Sequence, residues 1–219
     1  MYVPPAFQLD DPEQIRRIVG DYGFALLVTC EGGVPAASHL PLIHDPEPAP
    51  KGRLLGHLAR ANGQARQLAA AMGAGREVLA VFQGPHAYIS PNDYGPQGVT
   101  GPATVPTWNY QAVHLYGVPR LMTEAEEVRR LLDRLTASHE AGRAPAWSPA
   151  DLDPQLMDRM LGGIQGFEIA ITRIEAAAKL SQNRTPAQAA HAAARLEASD
   201  DPLARETGRR MRAALEARS

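Results

Sequence analysis

The sequence predicts a mainly β protein with α elements: six antiparallel strands closing into a small barrel, peripheral helices and a helical C-terminal tail. Two observations predict the barrel. Apolar runs of strand length recur at 24–30, 34–43, 53–58, 77–83, 112–121 and 166–174. Links of hairpin length join several of them, which favours antiparallel pairing, and closure removes the exposed edges that six short strands would otherwise leave. A third observation places the helices. Apolar residues at helical spacing occur before the first strand, between strands, and in an Ala/Arg-rich stretch after the last one.

The elements follow in order. Tyr2-Val3-Pro4-Pro5 is extended, because proline fixes φ and restricts its predecessor. Asp11-Pro12 reads as an N-cap with proline in the first turn, Ile15, Ile18, Val19 and Tyr22 carry the helix, and Gly23 stops it. Strands at 24–30 and 34–43 flank the turn Glu31-Gly32-Gly33, and Pro41 in the second of them predicts an edge position or a bulge. The stretch 45–52, with three prolines, is a loop. A strand at 53–58 leads to a helix capped by Asn62 and running through Met72, ended by Gly73-Ala74-Gly75. A strand at 77–83, a break at Gly84-Pro85 and a short strand at 86–90 come next. Residues 91–106 hold four Pro and three Gly and read as a long irregular excursion of the kind that is usually functional or mobile. After the strand at 112–121, Thr123-Glu124-Ala125-Glu126 reads as a capping box whose helix ends at Gly142. Asp153-Pro154 starts another helix, 166–174 alternates as a half-buried strand, and 186–218 forms two helices split near Ser199-Asp200-Asp201-Pro202. There are no internal repeats.

Composition narrows the function. The 219 residues carry 22 Lys+Arg against 24 Asp+Glu, a net charge of −2, which removes the strongly basic signature of a dedicated nucleic-acid binder. No apolar run approaches the roughly 20 residues that span a bilayer, and the N-terminus lacks the pattern of a signal peptide, so the expectation is a cytoplasmic protein without membrane contact. A single cysteine, Cys30, excludes an internal disulfide framework and a multi-Cys zinc site. No two of the seven histidines have the spacing of a helical metal pair, and no metal is expected. The phosphate-loop, dinucleotide-fold and nucleophile-elbow signatures do not occur.

Four segments beside strands are unusually polar: Ser38-His39-Leu40-Pro41, Gly56 to Asn62, Thr107-Trp108-Asn109-Tyr110, and Lys179 to Arg184. Each mixes hydrogen-bonding groups with short apolar residues, as a site for a flat polar ligand would. From spacing alone a solvated loop is the ordinary reading of each; His57 alone reads as a structural histidine and Trp108 as a packing anchor. Arg60, just before a helix start at Asn62, is the best single hint of an anion site, because free N–H groups and a guanidinium would converge there.

At these segments the sequence resembles the PaiB-type FMN-binding negative transcriptional regulators of the FMN-binding split-barrel superfamily. The resemblance runs in order through Met1-Tyr2-Val3-Pro4, His39-Leu40-Pro41-Leu42, Gly56-His57-Leu58-Ala59-Arg60-Ala61-Asn62, residues 78–85, Ala87-Tyr88-Ile89-Ser90-Pro91, Thr107-Trp108-Asn109-Tyr110, His139-Glu140 and Lys179-Leu180-Ser181-Gln182-Asn183-Arg184. It departs at Gly63 and Ala65, where the family usually has Pro and then Trp, and at Asn92-Asp93-Tyr94, where a Trp is common.

The resemblance implies a split barrel over 1–183 with a helical extension over 184–219, and a homodimer with FMN in the subunit interface. Ser38, His39 and Leu40 would then line the isoalloxazine, with His57, Leu58, Arg60 and Asn62 near the ribityl-phosphate. Lys179, Gln182, Asn183 and Arg184 would close the site, and Trp108 and Asn109 would cover it from the partner. It implies a repressor of transcription or, as the alternative, an FMN-dependent oxidoreductase; a haem role for one histidine is a third and weaker reading. A repressor needs a recognition helix with a basic face, and 184–219 offers seven Arg against five acids with no helix-turn-helix pattern, so DNA is a weakly supported partner. An oxidoreductase needs a group poised for proton or hydride chemistry, for which His57 and His114 are the candidates.

Overall fold

The computed structural model describes residues 1–47, 51–95 and 105–218. Its strands are β1 (Phe24–Glu31), β2 (Val34–Asp45), β3 (Arg53–Ala59), β4 (Val78–Ile89), β5 (Thr107–Leu121) and β6 (Ile164–Lys179). Its α-helices are α1 (Pro12–Asp21), α2 (Gln64–Gly73), α3 (Ala125–Glu140), α4 (Pro154–Gly162), α5 (Pro186–Glu197) and α6 (Pro202–Glu216). The strands pair in the order β1-β2-β3-β6-β5-β4, and β4 returns to β1 through Leu26↔Val81, so the sheet closes.

The chain divides into two compact units. The first comprises Met1–Ile18, Gln83–Val113 and Glu175–Ser219; the second comprises Val19–Phe82 and His114–Ile174. In the second unit β1 alternates as periodicity requires, with Ala25, Leu27 and Thr29 buried. Leu54, Phe82, Phe167 and Ile169 are fully buried, each stabilising the fold by about 1.5–3 kcal/mol relative to exposure. The interior leaves no space at Gly56, where a Cβ would collide with Leu42 and crowd Phe167 and Leu40. At Gly117 a Cβ would run into the Ala170 carbonyl, so only glycine lets that close approach occur. A further apolar cluster joins Leu55 to Val128, Leu131 and Leu135 of α3 and Met157 and Leu161 of α4.

Pro41 sits where β2 changes partners: its ladder with β1 ends at Phe24↔Pro41, and its ladder with β3 begins at Leu42↔Gly56. The proline therefore occupies an edge-like position inside a long strand. In the first unit α5 and α6 pack through small residues; Gly208 lies so close to Ala193 O that a Cβ there would approach it to 2.8 Å.

Several local expectations are corrected. Residues 77–90 do not split at Gly84-Pro85: β4 is one strand, held on pattern by buried residues on both sides of the pair. The fifth strand starts at Thr107, because inward positions 109 and 111 hold buried Asn and Gln that an apolar alternation cannot reveal. Trp108 and Tyr110 therefore stand on a strand and not on a loop. The expected capping box at Thr123 does not form; α3 has Glu124 at its N-cap, and the Thr123 hydroxyl donates to the Glu124 carboxylate. The helix expected to be capped by Asn62 begins at Gln64 with Gly63 at its N-cap position, and the Asn62 side chain still accepts from Gln64 N. Of the excursion 91–106, Pro91–Tyr94 is a 3-10 turn capped reciprocally by Ser90 and Asp93, while 96–104 lies outside the described residues, as does 48–50 of the proline-rich loop.

Candidate functional site

In the second unit, β2 and the turn between β3 and α2 bring Ser38, Arg60 and Asn62 together. Asn62 is the hinge of this turn. Its Nδ2 donates to Ser38 Oγ at 3.1 Å, and its Oδ1 accepts from Gln64 N at 2.9 Å. Gln64, 3% exposed, clamps the helix start to the β1–β2 hairpin by donating to Leu27 O, Ala36 O and Thr29 Oγ1. Ala65 N and Arg66 N are also bonded, to Asn62 O and Gly63 O. The first-turn amides are thus satisfied locally. What the turn offers an anion is the helix dipole and the Arg60 guanidinium, in place of the cluster of free N–H groups expected.

Arg60 is exposed and, among the described residues, pairs with no carboxylate. Its N–H donates to Gly163 O at 2.9 Å and its Nη1 to Gln165 Oε1 at 3.1 Å. Gln165 is itself fixed, its Nε2 donating to Met122 O and Gly166 O. Of the other expected residues in this unit, Leu40 and Leu58 are buried in the core and His39 is exposed, its ring 6.0 Å from that of Phe24. His57 is half-buried, and that burial pushes its pKa below the ordinary histidine value, keeping the imidazole neutral at neutral pH. Such a group offers a ligand a neutral donor or acceptor and no charge.

In the first unit the end of β6 turns sharply. Ser181, 1% exposed, adopts φ +66°, a left-handed conformation costly for a non-glycine residue. Gln182 stabilises the turn by accepting from Leu180 N at 2.7 Å and donating to Ala178 O. The Ser181 hydroxyl accepts from Asn109 Nδ2 at 2.8 Å and shares a hydrogen bond with Tyr94 Oη at 3.1 Å. Asn109 is fully buried, and its Oδ1 has no hydrogen-bond partner among the described residues. Lys179 bonds Thr107 Oγ1 and lies over the Phe7 ring; Arg184 lies 4.7 Å above the Tyr94 ring. Burial, and then the Arg184 charge, push Lys179 below the ordinary lysine value. Asn183 is exposed. Trp108 is 53% exposed and meets Tyr88 edge-on and the His86 ring at a tilt, and so is not an interior anchor. Sequence reasoning missed Gln64, Gln165, Tyr94 and Ser181 as site-builders. Only Ser181, inside a segment already singled out, left a signal.

The second unit also holds a cleft of about 260 Å³ between β3, β5, β6 and α3 that contains none of the expected site residues. Its arginines are matched. Arg53 binds Asp45 and Glu168, Arg120 binds Glu127 and Glu168, and Arg134 binds Asp45. Burial raises Asp45, but hydrogen bonds from Arg134 and Arg53 outweigh it and bring the carboxyl to about 2. Among the described residues no three His, Cys, Asp or Glu side chains gather where they could hold a metal ion, and no helix is long and apolar enough to cross a membrane.

A six-stranded antiparallel sheet closed by β4 on β1 is an architecture shared with split-barrel-like flavin proteins of known structure. The family model described as "Putative FMN-binding domain" matches residues 1–173, and the chain belongs to that family. FMN, the cofactor expected from the sequence, is the ligand by which that family is described. The chain is 36% identical over 206 residues, 94% of its own length and 94% of the relative's, to the protease synthase and sporulation protein PAI 2 of Bacillus subtilis (strain 168). Two solved structures share the fold. The flavocytochrome Anf3 from Azotobacter vinelandii matches with TM-score 0.57 and 13% identity over 78% of this chain and 69% of that one. The FAD and heme binding protein from Mycobacterium smegmatis matches with TM-score 0.57 and 15% identity over 78% and 73%.

Proposed function

We propose that the protein is an FMN-binding split-barrel flavoprotein that works through its flavin, with the FMN phosphate held at the β3–α2 turn. The observation that carries this reading is Arg60: a fixed, exposed guanidinium with no carboxylate partner among the described residues, four residues before the start of α2 and in the same turn as the Ser38–Asn62 hydrogen bond. The donor set fits the phosphate end of FMN, which needs positive charge and hydroxyl or amide partners. Neutral His57 and exposed His39 are then available to the ribityl chain and the ring. When bound, FMN supplies a group that accepts and releases electrons; the chain's own residues bind and orient it.

The regulator role rests on the resemblance and on the name of the Bacillus relative. The tail arginines favour an indirect version of it. Arg209 and Arg210 pair with Glu206, Arg212 with Glu197 and Arg195 with Asp93, which leaves little basic face for DNA. We therefore take any DNA contact to be weak, with a shallow salt dependence; a tight sequence-specific shift at physiological salt contradicts this. A homodimer is part of the proposal, supported by the exposed Trp108–Tyr88 pair. Light scattering should give the mass of two chains.

The decisive test compares FMN with riboflavin, which lacks the phosphate. A charge-assisted hydrogen bond is worth about 1.5–3 kcal/mol, or roughly 10- to 150-fold in affinity. Arg60→Ala should weaken FMN at least about tenfold and leave riboflavin nearly unchanged in calorimetric titration. An equal loss for both ligands refutes the phosphate role, and an absorption spectrum unchanged by added FMN refutes flavin binding altogether.

A further inference from the structure

We propose that the cleft between β3, β5, β6 and α3 binds a small organic acid, a monocarboxylate with an apolar body. The cleft, about 260 Å³, lies wholly in the second unit and falls below the roughly 300–1,000 Å³ of sites for drug-sized ligands, so its occupant is small. Leu55, Met122 and Leu131, all buried, give it an apolar floor.

Its four arginines are matched, and not equally. Asp45, 13% exposed, and Glu168, 15% exposed, each accept from two arginines, and with Glu127 they satisfy Arg53, Arg120 and Arg134. Arg130 stands outside that network. Among the described residues its one carboxylate is Glu126, at 3.5 Å, which does not line the cleft; the two side chains are 62% and 65% exposed. An exposed pair of this kind contributes little and yields to a better acceptor. Arg134 stands one turn further along the same face of α3, where residues four apart are neighbours, and only its Nη1 is engaged, by Asp45 at 2.8 Å. The Nε and Nη2 of both arginines have no hydrogen-bond partner among the described residues. A carboxylate between them accepts charge-assisted bonds from two guanidiniums while its body covers the floor. The one loosely held charge matches a monoanion. A phosphate dianion would bring a second charge without a partner and leave the floor wet.

The cleft is walled off from the flavin turn. It spans the level of Arg53↔Ala170 and Leu55↔Glu168 in the β3–β6 ladder, and the next pair on that face is His57↔Gly166. There the sheet is covered: a Cβ on Gly166 would lie 3.0 Å from Met122 Sδ, 3.2 Å from Val128 and 3.3 Å from Leu131. None of the residues expected at the flavin lines the cleft.

The probes are benzoate, its uncharged isostere benzamide, and inorganic phosphate. Each is titrated calorimetrically into the full chain at neutral pH and constant ionic strength, with and without FMN. Benzoate should bind, benzamide at least about tenfold more weakly, and phosphate more weakly than benzoate. Arg130→Gln should weaken benzoate about tenfold and leave the thermal midpoint unchanged. Arg129→Gln removes the adjacent arginine, which pairs with Asp158 and does not line the cleft, and should leave benzoate binding unchanged. The proposal is overturned if benzoate does not bind, if benzamide or phosphate binds as tightly, or if Arg130→Gln binds like the parent. It is also overturned if Arg129→Gln loses as much, or if Arg130→Gln melts lower, since Arg130 would then serve the fold. No outcome depends on the flavin, so a chain that takes up no FMN sinks the flavin reading alone.

Discussion

Arg53 in the second unit and Arg184 in the first are both half-buried guanidiniums close to strand β3 or the end of β6, and their surroundings differ in kind. Arg53 faces two carboxylates, at 3.0 Å from Asp45 and 2.7 Å from Glu168. Glu168 is shared with Arg120, and Asp45 with Arg134, so the cleft is a closed network. Arg184 lies over a phenol ring and pairs with no carboxylate among the described residues. The first arrangement spends its charges on itself and serves the fold. The second keeps charge unspent, which costs stability and suits a ligand. A pocket's size therefore says less about function than whether its charges are already neutralised.

The contrast can be broken first at Glu168. Its carboxylate is largely buried and serves two arginines, so Glu168→Leu strands both. Urea denaturation should show a loss of about 3 kcal/mol, the range for removing one partner of a buried pair. A loss below about 1 kcal/mol would rank the network with ordinary surface ion pairs and erase the difference between the regions.

Acid should separate them next. Asp45 is held at about 2 and Glu168 below the usual glutamate range, burial opposing and the arginines prevailing in both. Depressed carboxylates contribute fully above their unfolded values near pH 4. That contribution is lost as pH falls from about 4 to about 2, where Asp45 takes up its proton. The urea midpoint of the parent should fall across that window, and Asp45→Asn should flatten the fall; parallel curves would remove Asp45 from the account.

The smallest effect lies at Lys179 and has the opposite sign. A depressed lysine means that the unfolded chain binds more protons, so stability rises as pH climbs toward the ordinary lysine value near 10.5. Lys179→Met should lack that rise and gain about 0.5 kcal/mol at neutral pH. A loss instead would make Lys179 a structural residue.

Much of the fold was legible because it depends on local signals. The Asp153-Pro154 start appears as an N-cap accepting from Leu156 N at 3.0 Å, and the split of the tail near Ser199–Pro202 separates α5 from α6. β1 shows the alternation of a half-buried strand. The failures are places where a distant partner outweighed the local pattern. Thr123 to Glu126 has the letters of a capping box, yet Glu127 is drawn to Arg120 and the helix starts at Ala125. Residues 107–111 are polar, and they form a strand because Asn109 finds Ser181 inside. The candidate site was legible as segments, through motif resemblance, but not as contacts: Gln64 and Gln165, which hold Asn62 and Arg60 in place, carry no sequence mark.

The sequence by itself determined which groups exist: the apolar periodicity of the strands, the prolines and caps that bound the helices, and the lack of acids from Tyr94 to Thr123. Only the tertiary structure decided which charges are neutralised. The register Leu55↔Glu168 and Arg53↔Ala170 sets Glu168 diagonally beside Arg53, while no register brings a carboxylate to Lys179 or Arg184 among the described residues. Ion pairing falls off over a few ångströms, and those distances are set by strand register and helix packing between residues more than a hundred apart in sequence, as in the Arg53–Glu168 bond.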